Sequence, residues 1–417
     1  MNELERVLLV GVNSNQYSSD QEFIYTMEEL ENLAVSCELE VKDVVTQNLS
    51  QIVAATYIGS GKLIEIKQYV LSDEIDTVVF NDELTPTQLR NIQEEIPCKV
   101  IDRTTLILDI FARRAKTKEA ILQVEIAQLR YLLPRLSSLH DDFSRQEGRI
   151  GSRGPGEKKI ELSRRRIESQ IDFLNKKLKE IAEKRKIQRS LRKRNKIPVV
   201  ALVGYTNAGK STVLNSLIGY SKNEEEKLVF SHNMLFATLE TTTRKIILEN
   251  NKRFLVTDTV GFVSKLPHHL IKAFRSTLEE VIEADLILHV IDSSNSNHTK
   301  QEQVTNQVLT ELGVKDTPVV KVYNKIDQAE NDIVSSEGIH ISAKKNINID
   351  SLISLLETHL FEHYRKINML IPYTEGQVFN VLKEQATLID YSYEDNGIKV
   401  YVEADEQLLG KYNDFVI

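Results

Sequence analysis

Gly204-Tyr205-Thr206-Asn207-Ala208-Gly209-Lys210-Ser211-Thr212 follows directly on the apolar run Pro198 to Val203. Glycines placed this way let a loop close tightly, so that successive backbone N–H groups surround a phosphate at a helix N-terminus. In that setting Lys210 reaches β- and γ-phosphates, and the Ser211 hydroxyl ligates Mg²⁺. The chemistry called for is binding of a nucleoside triphosphate.

The base is specified downstream. Asn324-Lys325-Ile326-Asp327 follows a second buried run, Pro318 to Tyr323. A carboxylate there can accept from both N1–H and the exocyclic amine of guanine, a donor pair that adenine lacks. Asp327 therefore selects GTP, with Lys325 along the base plane and Asn324 bracing the loop. Ser342-Ala343-Lys344, after the short run Gly338 to Ile341, suits a backbone contact to guanine O6.

Between these two motifs lie residues suited to sensing the γ-phosphate. Asp258-Thr259-Val260-Gly261 ends the run Arg253 to Thr257. Asp258 would hold the Mg²⁺ shell through water, and the Gly261 N–H would meet the γ-phosphate. Upstream, Phe236-Ala237-Thr238-Leu239-Glu240 continues into Thr241-Thr242-Thr243. Thr238 is the first choice for a Mg²⁺-binding hydroxyl and Thr242 the second, because a threonine-rich loop cannot be registered from sequence alone.

Phe262 follows Gly261 where many switch GTPases place a water-orienting glutamine. A phenyl ring makes no hydrogen bond, so low intrinsic hydrolysis is expected and help from a cation, a reordered loop or a docked partner is required. Asn207 resembles the potassium-coordinating asparagine of cation-activated GTPases, in which K⁺ supplies the charge of an arginine finger. The alternative is that Asn207 only closes the loop by hydrogen bonding. The catalytic set is thus Lys210, Thr238, Gly261 and Asn207.

The elements that position these groups follow from periodicity. Val7 to Val12, Glu40 to Thr46, Thr77 to Asn81 and Cys98 to Asp102 read as strands, with helices near 21–36, 62–71 and 86–95. That alternation predicts a small parallel α/β domain. Within it, Gly59-Ser60-Gly61-Lys62 lacks the full phosphate-loop spacing and reads as a helix-entry turn. After the nucleotide motifs, Asn368 onward reads as strand, helix (Val378 to Leu382) and two strands (Thr387 to Tyr393, Gly397 to Glu403), a small α+β appendage.

Charge is unevenly placed. The 417-residue chain has a net charge of −8, yet Arg145 to Lys196 carries 19 Lys and Arg against 7 Asp and Glu, a local balance of +12. A basic segment in an acidic protein is a footprint for polyanions or a solvated helix face. Leu122, Ile126, Leu129, Leu133 and Leu136 recur at spacings of four and three, as do Ile167, Ile171, Leu174, Leu178 and Ile181. Each set makes a short heptad seam, so two helices of about 20 residues should pack as an antiparallel hairpin projecting roughly 30 Å. The connection, near Ser137 to Lys158, is long, basic and glycine-rich. Arg149, Arg153, Gly154, Pro155 and Gly156 at its tip suit RNA, since glycine backbone and arginines can follow phosphates and stack on bases. Cys37 and Cys98 have no metal-like spacing and fit a reducing cytoplasm. No run of about 18 apolar residues predicts a membrane span, and the N-terminus lacks a signal peptide's basic and apolar regions.

Gly154-Pro155-Gly156-Glu157 followed by Arg164-Arg165-Arg166, the Gly204–Thr212 loop, Phe236-Ala237-Thr238-Leu239 and Asp258 to Phe262 together resemble the HflX family of GTPases. The similarity extends to Tyr57–Lys62 and Asp109-Ile110-Phe111-Ala112 and so covers nearly the whole chain. Glu240-Thr241-Thr242 stands where the family usually has Asp-Pro-Thr. The resemblance implies a factor that binds the large ribosomal subunit and its rRNA, inserts the hairpin tip near the peptidyl-transferase centre, and splits stalled or idle ribosomes under stress. It implies hydrolysis stimulated by the ribosome, in keeping with Phe262.

The expected fold class is α/β, divided as an N-terminal subdomain (1–110), a basic helical hairpin with a glycine-rich tip (111–196), a P-loop GTPase domain (197–365) and a small α+β domain (366–417). A cytoplasmic monomer that does not bind DNA is expected. Two other readings stay open. One is a potassium-activated GTPase regulating RNA modification; the other is a regulatory switch that recruits partners through its C-terminal domain.

Overall fold

A computed structural model describes residues 4–136, 155–194, 197–222, 235–236, 241–267, 270, 275–329 and 337–417, with backbone alone at 155–159, 186–194 and 275–277. The chain divides into two compact units.

The first unit comprises Met1–Gln188, Asn233–Glu240 and Val263–Thr277. Its sheet is built from β1 (Arg6–Asn13), β2 (Glu40–Asn48), β3 (Thr77–Phe80) and β4 (Lys99–Asp102), in the order β2-β1-β3-β4 with every pair parallel. Val7 to Val10 and Val78 to Phe80 are fully buried, as parallel strands covered on both faces must be. The crossovers are α1 (Asp20–Ser36), α2 (Ser60–Ser72) and α3 (Pro86–Glu95), followed by α4 (Arg103–Arg114). Sequence sets where each helix starts. Thr85 and Gln88 form a capping box at α3, and Asp102 both ends β4 and caps α4 by accepting from the Thr105 N–H at 2.9 Å. Gly59 caps α2 as the helix-entry reading requires, and Lys62 is paired with Glu65 at 2.8 Å.

The hairpin seam forms between α5 (Lys118–Leu132) and α6 (Pro155–Arg194). Ile126 packs on Ile171 and Leu174, flanked by Leu122, Leu129, Ile167 and Leu178. Helix lengths depart from expectation. The connection was expected to run to Lys158, but α6 begins at Pro155 and continues for 40 residues, about 60 Å. Proline is preorganised for a first helical turn, where its missing N–H costs nothing, and Glu157 suits the positive end of the helix dipole. Leu133, expected within the first helix, instead opens a 3₁₀ turn that runs to Arg135.

The second unit comprises Arg189–His232, Thr241–Phe262 and Leu278–Ile417. In chain order it contains β5 (Val199–Val203), α7 (Lys210–Gly219), β6 (Thr242–Ile247), β7 (Arg253–Asp258), the end of α8 (Arg275–Ile282), β8 (Leu286–Asp292), α9 (His298–Leu312), β9 (Val319–Asn324), β10 (Ile339–His340) and α10 (Ile349–Leu360). The sheet order is β10-β9-β8-β5-β7-β6, and only β6 runs antiparallel to its neighbour. A second sheet, β11 (Arg365–Ile371), β13 (Gly397–Ala404) and β12 (Thr387–Glu394), is antiparallel in the order β11-β13-β12. It carries α11 (Gly376–Gln385) and α12 (Glu406–Lys411) on a core of Met369, Ile371, Leu382, Val400 and Val402. Among the described residues no helix is long and apolar enough to cross a membrane.

Candidate functional site

The carboxyl ends of β5, β7, β8 and β9 bring the sequence motifs of the second unit together. β5 is buried and delivers the chain into the Gly204–Gly209 loop, which α7 follows. Gly209 sits at φ +93°, where a side chain is strained, and an added Cβ would lie 2.2 Å from Asn324 Nδ2. The loop is docked on the end of the β7 segment. The Thr206 N–H donates to the Phe262 carbonyl at 2.7 Å, and the Phe262 N–H donates to the Gly204 carbonyl at 3.2 Å.

Lys210 is buried, and its Nζ donates to the carbonyls of Gly204 (3.2 Å) and Tyr205 (2.9 Å). Burial lowers its pKa to about 8, a shift opposed by the nearby Asp258 carboxylate. Ser211 Oγ donates to Asp258 Oδ2 at 2.5 Å, so the hydroxyl and carboxylate expected around Mg²⁺ already meet at one point. Hard oxygen donors of this kind fit Mg²⁺. Thr259 turns away from this point and donates its hydroxyl to the Leu202 carbonyl at 2.6 Å, tying β7 to β5. A Cβ on Gly261 would lie 2.7 Å from Thr206 Cα and 3.0 Å from Lys210 Nζ. Only glycine lets that backbone pass so close to the loop.

In the second motif, Asn324 holds two backbone groups. Its Nδ2 donates to the Ala208 carbonyl at 3.0 Å, and its Oδ1 accepts from the Ala343 N–H at 3.0 Å. The Asp327 side chain is 5 % exposed in a half-buried residue and accepts from Ser342 Oγ at 2.7 Å; that hydrogen bond holds its pKa below the usual carboxylate value. Lys325 adopts φ +65° and pairs through Nζ with Asp292 Oδ2 at 2.7 Å. Ile326 donates its N–H to the Ile341 carbonyl at 3.3 Å, and Lys344 is exposed.

Two contributors escaped sequence reading. Asp292 orients Lys325, and Lys345 lies 3.5 Å from Asp327 Oδ2 while its N–H donates to Ser342 Oγ at 3.2 Å. Asp292 could have been found as a carboxylate at the end of the buried strand β8, where α/β sheets bind ligands.

Some expected residues fall elsewhere. Ala237, Thr238, Leu239 and Glu240 lie outside the described residues, as do Arg149, Arg153 and Gly154. Phe236 belongs to the first unit, at φ +53°, with its buried ring edge-on to Phe111 at 4.7 Å. Thr242, the second candidate for the metal hydroxyl, opens β6 directly opposite Asp258. Pro155 and Gly156 form the start of α6. Asn207 stands at φ +63°, and among the described residues its side chain makes no hydrogen bond, so loop closure does not use it.

Three family models match the chain: GTP-binding GTPase N-terminal over residues 25–112, GTP-binding GTPase Middle Region over 114–192, and 50S ribosome-binding GTPase over 199–325. GTPase HflX of Caldanaerobacter subterraneus is 46% identical over 416 residues, covering 99% of this chain and 94% of that one. GTPase HflX of Escherichia coli is 34% identical over 407 residues, covering 95% and 93%. Among solved structures, a GTP-binding protein from Sulfolobus solfataricus in complex with GDP is 26% identical, covers 85% of this chain and 99% of its own, and has a TM-score of 0.44. The guanine-selective motifs, the phosphate loop and full-length similarity agree: the chain belongs to the HflX family of GTPases, binds GTP and hydrolyses it.

Proposed function

We propose that this GTPase binds the large ribosomal subunit and its rRNA, and that GTP binding and hydrolysis drive the splitting or rescue of stalled and idle ribosomes under stress. The observation that carries this reading is the +12 segment from Arg145 to Lys196, much of it on α6, in a chain whose residues 199–325 match a model described as a 50S ribosome-binding GTPase. Counterion release makes such a surface a strong ligand for structured RNA. The working parts are the N-terminal subdomain, hairpin, GTPase domain and C-terminal domain bounded at 110, 196 and 365, in a cytoplasmic monomer.

In this scheme the N–H groups of the Gly204–Thr212 loop and Lys210 hold the β- and γ-phosphates. Ser211 and Asp258, with Thr238, hold Mg²⁺, which neutralises charge on the phosphate oxygens. The Gly261 N–H reports the γ-phosphate, and Asn324 to Asp327 with Ser342 to Lys344 read guanine. Phe262 is buried and offers no polar group to a water, which supports slow hydrolysis until the ribosome docks. Asn207, with its side chain unengaged among the described residues, is suited to K⁺. GTP binding supplies the work of splitting, and hydrolysis releases the factor.

Replacing Gly154 and Gly156 with bulkier residues is expected to slow splitting roughly tenfold, the equivalent of about 1.4 kcal/mol of contact, while GTP affinity is unchanged. Light scattering of intact ribosomes follows the reaction, and an unchanged rate would refute the tip's role.

Lys210 gives a pH dependence. Its free-state pKa is about 8, and a triphosphate beside it raises that value. Affinity for GTP is therefore full below pH 8 and declines as pH rises through and above it, with proton uptake on binding near pH 8. Calorimetry in buffers of different ionisation enthalpy checks this; constant affinity into alkaline pH would contradict it.

A further inference from the structure

The C-terminal sheet has one closed edge and one open edge. At β11 the chain terminus covers the edge: Met369 bridges Val416, and the Ile417 N–H donates to the Asn368 carbonyl at 3.0 Å. At the other side, among the described residues, β12 pairs only with β13. Natural proteins blunt such an edge with charged side chains, proline or bulges; Thr387–Glu394 contains no proline or lysine, and its charges are the acids Asp390 and Glu394. The bulge between Leu388 and Asp390 interrupts only its start, leaving Asp390 to Glu394 in regular register.

The open edge is also aromatic. Tyr391 lies opposite Val400 and Tyr393 opposite Ile398, which places both on the face that carries α11. The helix stops short of them. Phe379 of α11 meets the Tyr391 ring at 5.4 Å, yet Tyr391 is 51% and Tyr393 66% exposed. Asp390 and Glu394 alternate onto the opposite face, both exposed. Lys399, the nearest cation in register, is paired with Glu394 at 3.7 Å. Residues 366–417 carry nine acids against four lysines.

We propose that the β12 edge docks an extended, basic segment of a partner protein as a fourth strand. Main-chain hydrogen bonds at Tyr391 to Glu394 supply affinity, a partner carbonyl replacing Asp390 Oδ1, which accepts from the Tyr391 N–H at 2.8 Å, while the Glu394 carbonyl keeps the Tyr373 hydroxyl at 2.7 Å. One alternating set of partner side chains, apolar or arginine, lies over Phe379, Tyr391 and Tyr393. The other set, lysine or arginine, faces Asp390 and Glu394. The acidic rim selects against two other occupants. A second copy of this chain would set Asp390 and Glu394 against their own equivalents, and nucleic acid would meet carboxylates.

The test uses the full chain and a short fluorescein-labelled peptide of alternating valine and arginine, followed by anisotropy and amide hydrogen exchange. Binding is expected, with slowed exchange at Tyr391 to Glu394. The variant Tyr391→Ala with Tyr393→Ala should weaken binding roughly tenfold, as should Asp390→Lys with Glu394→Lys. Both should keep GTP affinity and the slow amide exchange of the central strand Gly397–Ala404, which verifies the fold. The proposal is overturned if the peptide does not bind, or if a version N-methylated at alternate amides binds equally well. Equal binding of a valine–glutamate peptide would also overturn it. So would protection of the same amides by single-stranded RNA, or by self-association that grows with protein concentration.

Discussion

Exchanging Asp327 for asparagine is expected to weaken GTP binding by roughly a hundredfold and to create affinity for xanthosine triphosphate, an effect of about 3 kcal/mol. The carboxylate is nearly buried and held ionised by the Ser342 hydroxyl, so it presents acceptors and no donor. Guanine offers two donors on the edge it would read. An asparagine amide keeps one acceptor and turns a donor toward a donor, leaving both groups unsatisfied against the bound base. Xanthine replaces the amine by a carbonyl, and the same amide then becomes complementary. Equilibrium titration with labelled nucleotides measures both affinities. Unchanged selectivity for GTP would mean that Asp327 does not read the base.

Arg103→Met is expected to cost the first unit about 3–5 kcal/mol of stability. Arg103 is 1% exposed and paired with Glu29; their side chains are 2% and 4% exposed. It also donates to Asn81 Oδ1 at 3.0 Å and to Ser264 Oγ at 3.1 Å. The Ser264 hydroxyl in turn donates to Glu29, so one buried ion pair anchors the segment that begins at Val263. Removing the guanidinium leaves the Glu29 carboxylate buried without its cation. The double variant Arg103→Met with Glu29→Leu should recover most of the loss, because no buried charge remains. Urea unfolding of the three proteins gives the comparison; a single-variant cost below about 1 kcal/mol would show that the pair is dispensable.

The nucleotide site was legible in sequence because its chemistry is local. A glycine loop between a buried strand and a helix, and a carboxylate three residues after Asn324, each declare themselves within a few positions. The strands of both parallel sheets were legible for a related reason, since burial on both faces forces continuous apolar runs such as Val7 to Val10. The anchor of Ser264 on Glu29 and Arg103 was not legible: its partners lie 235 and 161 positions away, and a buried ion pair leaves no periodic trace. Asp292 is not legible because its contact is an ion pair with Lys325, 33 positions away. The start of α6 was misplaced for the opposite reason. Glycine and proline at 154–156 read as loop residues, yet proline is equally at home in a first helical turn. The heptad seam at Ile126, Ile171 and Leu174 is legible in the sequence because both helices bury the same stripe.

The central claim, that the ribosome is the activator of this GTPase, is tested most directly by GTP hydrolysis with and without purified large ribosomal subunits, in parallel potassium and sodium buffers. The account predicts slow turnover alone and strong stimulation by subunits, lost when Gly154 and Gly156 are replaced. Potassium should add to that rate if Asn207 holds the cation. Absence of stimulation by subunits in either buffer would contradict the account, and stimulation by potassium alone would assign the protein to the cation-activated class.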